Sequence, residues 1–342
     1  MEGGALMSIS NLPQNSHAGL HWQSYSDVTE AGFRPDALEA VRACASAQAT
    51  DALIVVRHGR IVCAIGDPGR KFLCHSIRKS FLAALFGIEV ENGRIELSAT
   101  LDQLGMDDRE GLSDTEKQAT VFDLLMSRSG VYHPAAYETA AMQLTREKRH
   151  SHAPGTFWCY NNWDFNALGT VYAKATGETV HEAFAHRIAG PIGMEDFSLE
   201  GPTPDGWYVR SDVSDHPAYP FRMSSRDLAR FGQLFLQNGR WAARQVLPAD
   251  WVRDCTLPYS HAGPRGAYGY MWWVERDRVF LPGVVMPRGS YAAWGAGGHF
   301  CVVIPDFDMV VVHRVDTEIA GREVSNFGFG RLMRCILAAL DT

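Results

Sequence analysis

The sequence predicts an α/β (α+β) fold in which an antiparallel sheet, flanked by helices, is built from both ends of the chain. Strand-like segments occur near the start, helical patterns dominate the middle, and strands followed by a helix return after residue 265. This order is typical of a sheet with an inserted helical domain. We therefore predict a sheet domain of residues 1–94 and 231–342, an all-α domain of residues 95–230, and a functional site at their junction.

The individual elements follow from periodicity and from turn residues. Apolar positions at helical spacing predict helices, whereas alternating or β-branched runs predict strands. Residues 1–30 are polar and are expected to form an irregular surface arm. The predicted helices are 35–48, 76–91, 120–126, 165–176, 180–188, 225–237 and 327–340. The predicted strands are 52–56 and 60–65 in one hairpin, 268–274, and 298–304 with 309–315 in a second hairpin.

Composition and charge exclude several classes of protein. With 342 residues, 46% hydrophobic and 21% charged, the chain has an ordinary globular composition and is neither disordered nor fibrous. Its net charge of −7 disfavours nucleic acid as a partner. No apolar run is long enough to cross a membrane, and residues 1–20 show no secretory signal pattern.

The seven cysteines are scattered, odd in number and without a Cys-x-x-Cys pair. This pattern predicts free thiols in a reducing compartment rather than disulfides or a zinc site. We therefore expect a cytoplasmic protein with no metal and no organic cofactor. Its expected partner is a small molecule, neither nucleic acid nor a membrane, and the sequence leaves the oligomeric state open.

The strongest chemical signal is Ser76-Ile77-Arg78-Lys79, at the start of a predicted helix. A Ser-x-x-Lys spacing places the amine one helical turn along, on the same face as the hydroxyl. A desolvated lysine can lose its proton and act as a base toward that hydroxyl. Taken alone, a helix-capping serine and a surface lysine are the commoner interpretation.

Two further motifs each have an ordinary alternative. Tyr160-Asn161-Asn162 could supply a proton-transferring phenol and an amide that binds a carbonyl, or simply a core tyrosine and a turn asparagine. The run 291–299 contains three glycines before a predicted strand, so a substrate could approach backbone N–H groups there. A glycine-rich turn is the alternative for that run.

The order of these three motifs resembles the serine β-lactamase-like superfamily. This superfamily includes class C β-lactamases, D,D-peptidases, β-lactamase-fold esterases and aminohexanoate-dimer (nylon-oligomer) hydrolases. The resemblance covers residues 50–340 and implies a β-lactamase/transpeptidase-like fold. Further stretches at the family's order and spacing are 124–131, 160–166, 225–232 and 268–273.

The resemblance also implies a role for each motif residue. Ser76 would be the acylated nucleophile, with Lys79 and Tyr160 as its proton-relay partners. Asn162 would hold Lys79 and the substrate, and the backbone N–H groups of Ser76 and Ala296 would form the oxyanion hole. Which of Lys79 and Tyr160 takes the first proton stays open.

The chain departs from the family at one strand position. Classical β-lactamases carry Lys-Thr-Gly there, whereas this chain carries Ala293-Trp294-Gly295, so the cation that grips a β-lactam carboxylate is missing. Trp294 and Gly295 would then line a flat, apolar pocket. The other candidate pocket residues, each of which could instead be structural, are Trp158, Trp163, Tyr132 and His299.

Together these features favour a serine hydrolase that cleaves small carboxylic esters or amides through an acyl-enzyme on Ser76. The missing strand lysine favours the esterase and nylon-oligomer amidase branches. One alternative is β-lactamase or D,D-peptidase activity. Another is a catalytically silent binding or sensor domain on the same fold, although a binder has no need of Ser76, Lys79, Tyr160 and Asn162 together.

Overall fold

An eight-stranded antiparallel sheet lies at the centre of the structure, a computed structural model that describes residues 21–341. Numbered along the chain, the strands are β1 (Ala52–Arg57), β2 (Arg60–Gly66), β3 (Lys71–Leu73), β4 (Arg222–Ser224), β5 (Arg240–Trp241), β6 (Arg244–Gln245), β7 (Ser260–His261), β8 (Ala267–Tyr268), β9 (Trp273–Val274), β10 (Tyr291–Gly295), β11 (His299–Ile304) and β12 (Met309–Arg314). The spatial order of the main sheet is β2-β1-β12-β11-β10-β9-β8-β7. β3 pairs with β4, and β5 with β6, in two small separate sheets.

Most helices of residues 21–341 follow β3 and precede β4 in sequence. The α-helices are α1 (Pro35–Ser46), α2 (Ile77–Glu91), α3 (Val121–Leu125), α4 (Ala140–Thr145), α5 (Asn162–Thr176), α6 (Val180–Phe184), α7 (Ser225–Leu236), α8 (Ala249–Cys255) and α9 (Asn326–Ala338). The prediction that both ends of the chain build one antiparallel sheet is confirmed. β1 and β2 form the N-terminal hairpin, and β1 pairs with β12 in a register that aligns Ala52 with Arg314.

Side chains of β11 show how the two faces of the main sheet are covered. Successive residues of a strand point to opposite faces. The Phe300 ring stacks on Phe329 of α9, with ring centroids 3.9 Å apart. The neighbouring Cys301 thiol contacts the Leu228 carbonyl of α7. α9 and α7 therefore lie on opposite faces of the sheet, which is buried between them.

The short β3–β4 pair positions the start of α2. β3 ends just before α2 begins at Ile77, and β4 leads directly into α7. The buried Arg314, at the end of β12, donates hydrogen bonds to the carbonyls of Phe72, Leu73 and Met223. These bonds tie both small strands to the main sheet and so fix the beginning of α2 relative to it.

Two predicted helices differ from the structure in their bounds. The helix predicted at 165–176 begins earlier, at Asn162, because the Asn161 side chain caps it by accepting a hydrogen bond from the Asp164 N–H. The helix predicted at 180–188 is α6 followed by a π-helical turn at Ala185–Ala189. α4 and α8 have no counterpart in the sequence prediction.

The prediction of one strand at 268–274 is wrong. The segment forms β8 and β9, joined by a turn in which Met271 has a left-handed φ of 57°. The turn packs closely on α8, because a Cβ at Gly269 would lie 2.1 Å from the Cys255 carbonyl oxygen. The aromatic alternation of this segment matches a continuous strand and gives no sign of the turn.

Three other expectations concern the N-terminal arm, the domains and the cysteines. Residues 1–20 of the predicted arm lie outside the described residues. The two-domain division stays a prediction, and its boundary at residue 230 falls inside α7, which packs on the main sheet. All seven cysteines are unpaired. Between residues 21 and 341, no helix has both the length and the apolar character that a membrane crossing requires.

The contact between α7 and the sheet depends on Gly232, where a Cβ would lie 2.6 Å from Val310 Cγ1 and 2.7 Å from Cys301 Sγ. We expect Gly232→Ala to lower the free energy of unfolding by about 1 kcal/mol, because overpacking that costs about 2 kcal/mol outweighs a helix-propensity gain of about 1 kcal/mol. Urea unfolding measures this change. Gly328→Ala in α9 is the control, since its nearest neighbour is the flexible end of Gln48. A Gly232→Ala protein as stable as that control would contradict the packing argument.

Candidate active site

The hydroxyl of Ser76 and the amine of Lys79 meet at the N-terminus of α2. Ser76 occupies the N-cap position, but its side chain caps no backbone N–H. Its Oγ instead accepts a hydrogen bond from Lys79 Nζ at 2.8 Å. The three-residue spacing on a helix brings the two groups to one face, and the serine hydroxyl is therefore paired with an amine rather than used as a cap.

Lys79 is enclosed by the fold and is only 2% exposed. Burial, reinforced by the positive charge of Arg78, holds the pKa of its amine well below the ordinary lysine value. Nζ lies 4.8 Å from the ring centroid of Tyr160 and 4.7 Å from that of Phe165. An amine in these surroundings loses its proton more readily than that of an ordinary lysine, and the neutral form has a lone pair that can take the Ser76 proton.

Tyr160 reaches the same place from the loop that precedes α5. Burial raises the pKa of its phenol to about 12, although a hydrogen bond with the Ser76 side chain and the charges of Arg78 and Arg265 act in the opposite direction. The phenol is therefore protonated at neutral pH. Its ring packs against Phe165, which fixes it beside Lys79. This arrangement suits Tyr160 to donating a proton rather than to removing one.

Asn162 lies near Lys79 but does not hold it. Its Nδ2 donates a hydrogen bond to the Tyr137 carbonyl at 2.7 Å, and its buried Oδ1 has no hydrogen-bond partner among residues 21–341. Asn162 and Lys79 both line a small inner recess of about 40 Å³ beside Ser76. The predicted hydrogen bond between Asn162 and Lys79 is thus not made, because the amide group is bound to the loop before α4.

The chain turns sharply at His75, directly before Ser76. His75 has a left-handed φ of 46°, which is uncommon for a residue other than glycine. Its Nε2 shares a hydrogen bond with Thr317 Oγ1 at 2.7 Å. Burial and the charge of Arg314 lower the pKa of the imidazole to about 4, so the ring is neutral at neutral pH. This bond anchors the turn that presents Ser76.

The end of β10 lies against the turn that contains His75. A Cβ at Gly295 would lie 2.7 Å from the Cys74 carbonyl oxygen, so this close approach requires glycine. The next residue, Ala296, lines both the inner recess and an outer cavity together with Ser76. Neither the Ser76 nor the Ala296 backbone N–H donates to another group within residues 21–341. Both are thus available to an oxyanion, and their role as an oxyanion hole stays a prediction.

The outer cavity has a volume of about 400 Å³, enough for a small organic substrate. Ser76 and Tyr160 lie in its wall, and Trp294 forms part of the wall from β10. Trp273 of β9 lies beside Trp294, with ring centroids 5.2 Å apart. The predicted aromatic pocket is therefore present, but one of its two tryptophans, Trp273, was not among the predicted residues.

The prediction that Trp158 and Trp163 line the pocket is wrong. Trp163 is fully buried in the first turn of α5 and donates a hydrogen bond from Nε1 to Asp108 at 2.6 Å. Trp158 packs behind the cavity wall, with its ring centroid 6.1 Å from that of Trp273. Both tryptophans serve packing: one joins α5 to the preceding loops, and the other supports the aromatic wall.

The predicted pocket residues His299 and Tyr132 also lie away from the cavity. His299 is fully buried, and its Nδ1 accepts a hydrogen bond from Arg314 Nε at 3.0 Å. Its ring centroid lies 5.0 Å from that of His75, so His299 supports the turn before Ser76. Tyr132 is 3% exposed and packs edge-on against His152. Their inward orientation excludes direct contact with a ligand in the cavity.

Sequence reasoning missed Arg265 and the segment around α4, which also line the outer cavity. Arg265 follows Gly263-Pro264 in a short 3₁₀ turn, where an arginine looks like any surface residue. Thr139 and Met142, at the start of α4, close the side of the cavity opposite the sheet. No periodic or motif signal in the sequence points to these positions.

The chain is similar to a known protein family and to several solved structures. The Beta-lactamase family profile matches residues 38–317. A solved structure from Bacillus anthracis, assigned as a 6-aminohexanoate-dimer hydrolase, has a TM-score of 0.64 and 22% identity, covering 88% of this chain and 83% of that chain. EstCE1, a hydrolase with promiscuous acyltransferase activity, has a TM-score of 0.64 and 15% identity, covering 88% of this chain and 97% of that chain.

Sequence similarity to a further protein extends over most of the chain. An uncharacterized protein of Alkalihalophilus pseudofirmus is 20% identical over 290 residues, which are 78% of this chain and 82% of that protein. Identities at this level show a common fold and leave the substrate open. Because the family profile spans most of the sequence, the chain belongs to the β-lactamase family, whose members are typically serine hydrolases.

Proposed function

We propose that the protein is a serine hydrolase that cleaves small carboxylic esters or amides through an acyl-enzyme on Ser76. The observation that carries this proposal is the 2.8 Å contact between Ser76 Oγ and the amine of Lys79. Lys79 is buried and its pKa is held well below the ordinary lysine value, which favours the neutral amine that can act as a base. Burying an amine costs free energy, and a purely structural role does not explain why Lys79 is buried beside Ser76, whose side chain caps no backbone N–H.

Acylation begins when Ser76 Oγ attacks the substrate carbonyl carbon and Lys79 takes the hydroxyl proton. The carbonyl oxygen becomes an oxyanion beside the unused N–H groups of Ser76 and Ala296. As the intermediate collapses, the bond to the leaving group breaks and Tyr160 donates its proton to the departing oxygen or nitrogen. The proton on Lys79 then restores the Tyr160 phenol, which leaves an acyl-Ser76 ester.

Deacylation reverses these steps with water in place of the alcohol or amine. Water loses a proton to the Lys79–Tyr160 pair as it attacks the acyl carbonyl, and the same pair returns a proton to Ser76 Oγ. The net reaction consumes one water and releases an acid and an alcohol or amine. Microscopic reversibility accounts for the use of one proton relay in both half-reactions.

The shape of the cavity supports esters or amides with a small or flat apolar part. Trp273 and Trp294 form an aromatic wall, and Trp294 stands next to Ala293, where classical β-lactamases have a lysine. The similar structures assigned as an aminohexanoate-dimer hydrolase and as a hydrolase with acyltransferase activity support the same branch. A cytoplasmic location is part of this proposal, and it is supported by seven unpaired cysteines.

The nucleophile can be tested by covalent labelling and turnover. We expect a fluorophosphonate to add one mass equivalent to the wild-type protein, and 4-nitrophenyl butyrate to give a burst of nitrophenolate. Ser76→Ala should lose the label and reduce kcat by on the order of 10³ or more, because the covalent path is removed. Ser98→Ala, which changes an exposed serine outside the cavity, is the matched control. Equal labelling of the Ser76→Ala and wild-type proteins would refute the nucleophile, and binding without turnover would favour a silent domain.

Tyr160→Phe tests whether the phenol protonates the leaving group. The ring contacts with Phe165 and Trp273 are kept, so the fold should be unchanged. We expect kcat to fall by about 10²–10⁴ for an ethyl ester, whose alkoxide needs a proton to depart. The loss should be much smaller for a 4-nitrophenyl ester, whose leaving group is stable as an anion. Equal losses for the two esters would contradict the role of Tyr160 as the acid.

The low pKa of Lys79 determines how the rate of the proposed hydrolysis depends on pH. Only the neutral amine can accept the Ser76 proton, and burial keeps it neutral down to a pH well below the ordinary lysine value. The rate should therefore rise with pH through the lowered pKa and reach its plateau well below about pH 10, the ordinary lysine value. The measurement is kcat/KM against pH, with Ser76→Ala as the blank. A rate that keeps rising through about pH 10, as for an ordinary lysine, would contradict this mechanism.

A further inference from the structure

Arg265 carries an unpaired positive charge in the wall of the outer cavity. It lies in the 3₁₀ turn Gly263–Arg265, just before β8, and lines the cavity with Ser76 and Tyr160. Its guanidinium carbon lies over the Trp273 ring, 4.6 Å from the centroid. Within residues 21–341 its guanidinium forms no hydrogen bond and no ion pair. The side chain is half-buried, so bulk water does not fully compensate the charge.

We propose that Arg265 binds a carboxylate of the substrate, so that the preferred esters or amides are anionic. This inference rests on the proposed hydrolase function and names the class of substrate for the same site. A guanidinium presents a planar set of N–H donors that matches the two oxygens of a carboxylate. The guanidinium lies over the Trp273 ring and lines the cavity, and its N–H donors are not hydrogen-bonded within residues 21–341.

The other groups around Ser76 make the cavity selective for a negative charge. Burial holds the pKa of Lys79 well below the ordinary lysine value, and the pKa of His75, about 4, keeps the imidazole neutral. Arg78 lines the inner recess but not the outer cavity, and it is buried and donates a hydrogen bond to Asn166 Oδ1. No Asp or Glu of the described chain lines either the outer cavity or the inner recess. Arg265 is therefore the charge that an incoming substrate meets.

The position of Arg265 explains how an anionic substrate would be held without a cation on β10. That strand carries Ala293 and Trp294 at the cavity edge, so it offers an apolar surface there. Arg265 comes instead from the turn before β8, a strand that only β9 separates from β10 in the sheet. Its charge also lowers the pKa of Tyr160. A change at Arg265 can thus alter the rate for every substrate, and the test must compare substrates within each variant.

The kinetic experiment uses two pairs of esters that differ only in charge. The first pair is 4-nitrophenyl hydrogen adipate and 4-nitrophenyl methyl adipate, which places the carboxylate on the acyl side. The second is 4-acetoxybenzoate and methyl 4-acetoxybenzoate, which places it on the leaving group. The readout is the ratio of kcat/KM for the anionic ester to that for the neutral ester, since a shift in Tyr160 affects both members of a pair.

We expect the wild-type ratio to favour the anionic ester in at least one pair. Arg265→Gln should lower that ratio roughly 10- to 100-fold, the size of one hydrogen-bonded charge pair. Arg265→Lys should retain part of the preference, and the exposed Arg276→Ala should retain all of it. High salt should reduce the wild-type ratio only modestly, because a half-buried pair is weakly screened. A wild-type ratio near one in both pairs, or an unchanged ratio in Arg265→Gln, would overturn the proposal.

A binding measurement separates this inference from the proposed hydrolysis. Calorimetry on the Ser76→Ala protein should show monomethyl adipate binding at least tenfold more tightly than dimethyl adipate. The double variant Ser76→Ala, Arg265→Gln should bind the two equally. If the wild-type protein cleaves no ester but this preference is present, the hydrolase proposal fails and the anion site stands. If the protein cleaves esters through Ser76 but shows no preference by either method, the anion site fails alone.

Discussion

A single buried contact, between the amine of Lys79 and the hydroxyl of Ser76, is the constraint to which the rest of the site is fitted. An amine that is 2% exposed loses most of its hydration, and this loss favours its neutral form. The aromatic rings of Tyr160 and Phe165 exclude water around it. Lys79 donates its hydrogen bond to Ser76. The packing that removes water from the amine therefore also holds the amine where it could accept the serine proton.

The fold holds this contact by bringing together segments that are far apart in sequence. Arg314 ties β3 and β4 to the main sheet and thereby fixes the start of α2. His75 and Gly295 make the close approach between the turn before Ser76 and the end of β10. The loop before α5 contributes the phenol of Tyr160. Membership in the β-lactamase family shows that the chain shares its fold with other members, while the aromatic wall and Arg265 are features through which this chain would choose its substrate.

The sequence predicted the part of the site that is encoded locally. Ser76 and Lys79 are three residues apart on one helix, so their spacing alone brings them together, and Ala296 follows a glycine-led strand end. The predicted fold class is likewise correct because hydrophobic periodicity reports which segments are strands and helices. These features required no knowledge of how remote segments pack.

The parts of the site that the sequence did not predict depend on the directions in which side chains point in the folded protein. A tryptophan near a catalytic motif can face the cavity or the core, and Trp163 faces the core because α5 is buried where it begins. Asn162 lies at the expected place, yet its amide is taken by the Tyr137 carbonyl. The turn at Met271 is hidden by aromatic alternation, and Arg265 stands in a turn without any motif. Only the tertiary structure shows that the guanidinium of this arginine forms no ion pair within residues 21–341.

The most direct measurement of the central claim is the pKa of Lys79 itself. The chain contains five lysines, so an NMR titration of the lysine ¹³Cε signals is simple to resolve, and Lys79→Arg assigns the signal of interest. The account predicts that Lys79 titrates well below the ordinary lysine value and that the Ser76→Ala protein keeps this low pKa, because burial is its main cause. A Lys79 signal that titrates near pH 10, the ordinary lysine value, would contradict the account.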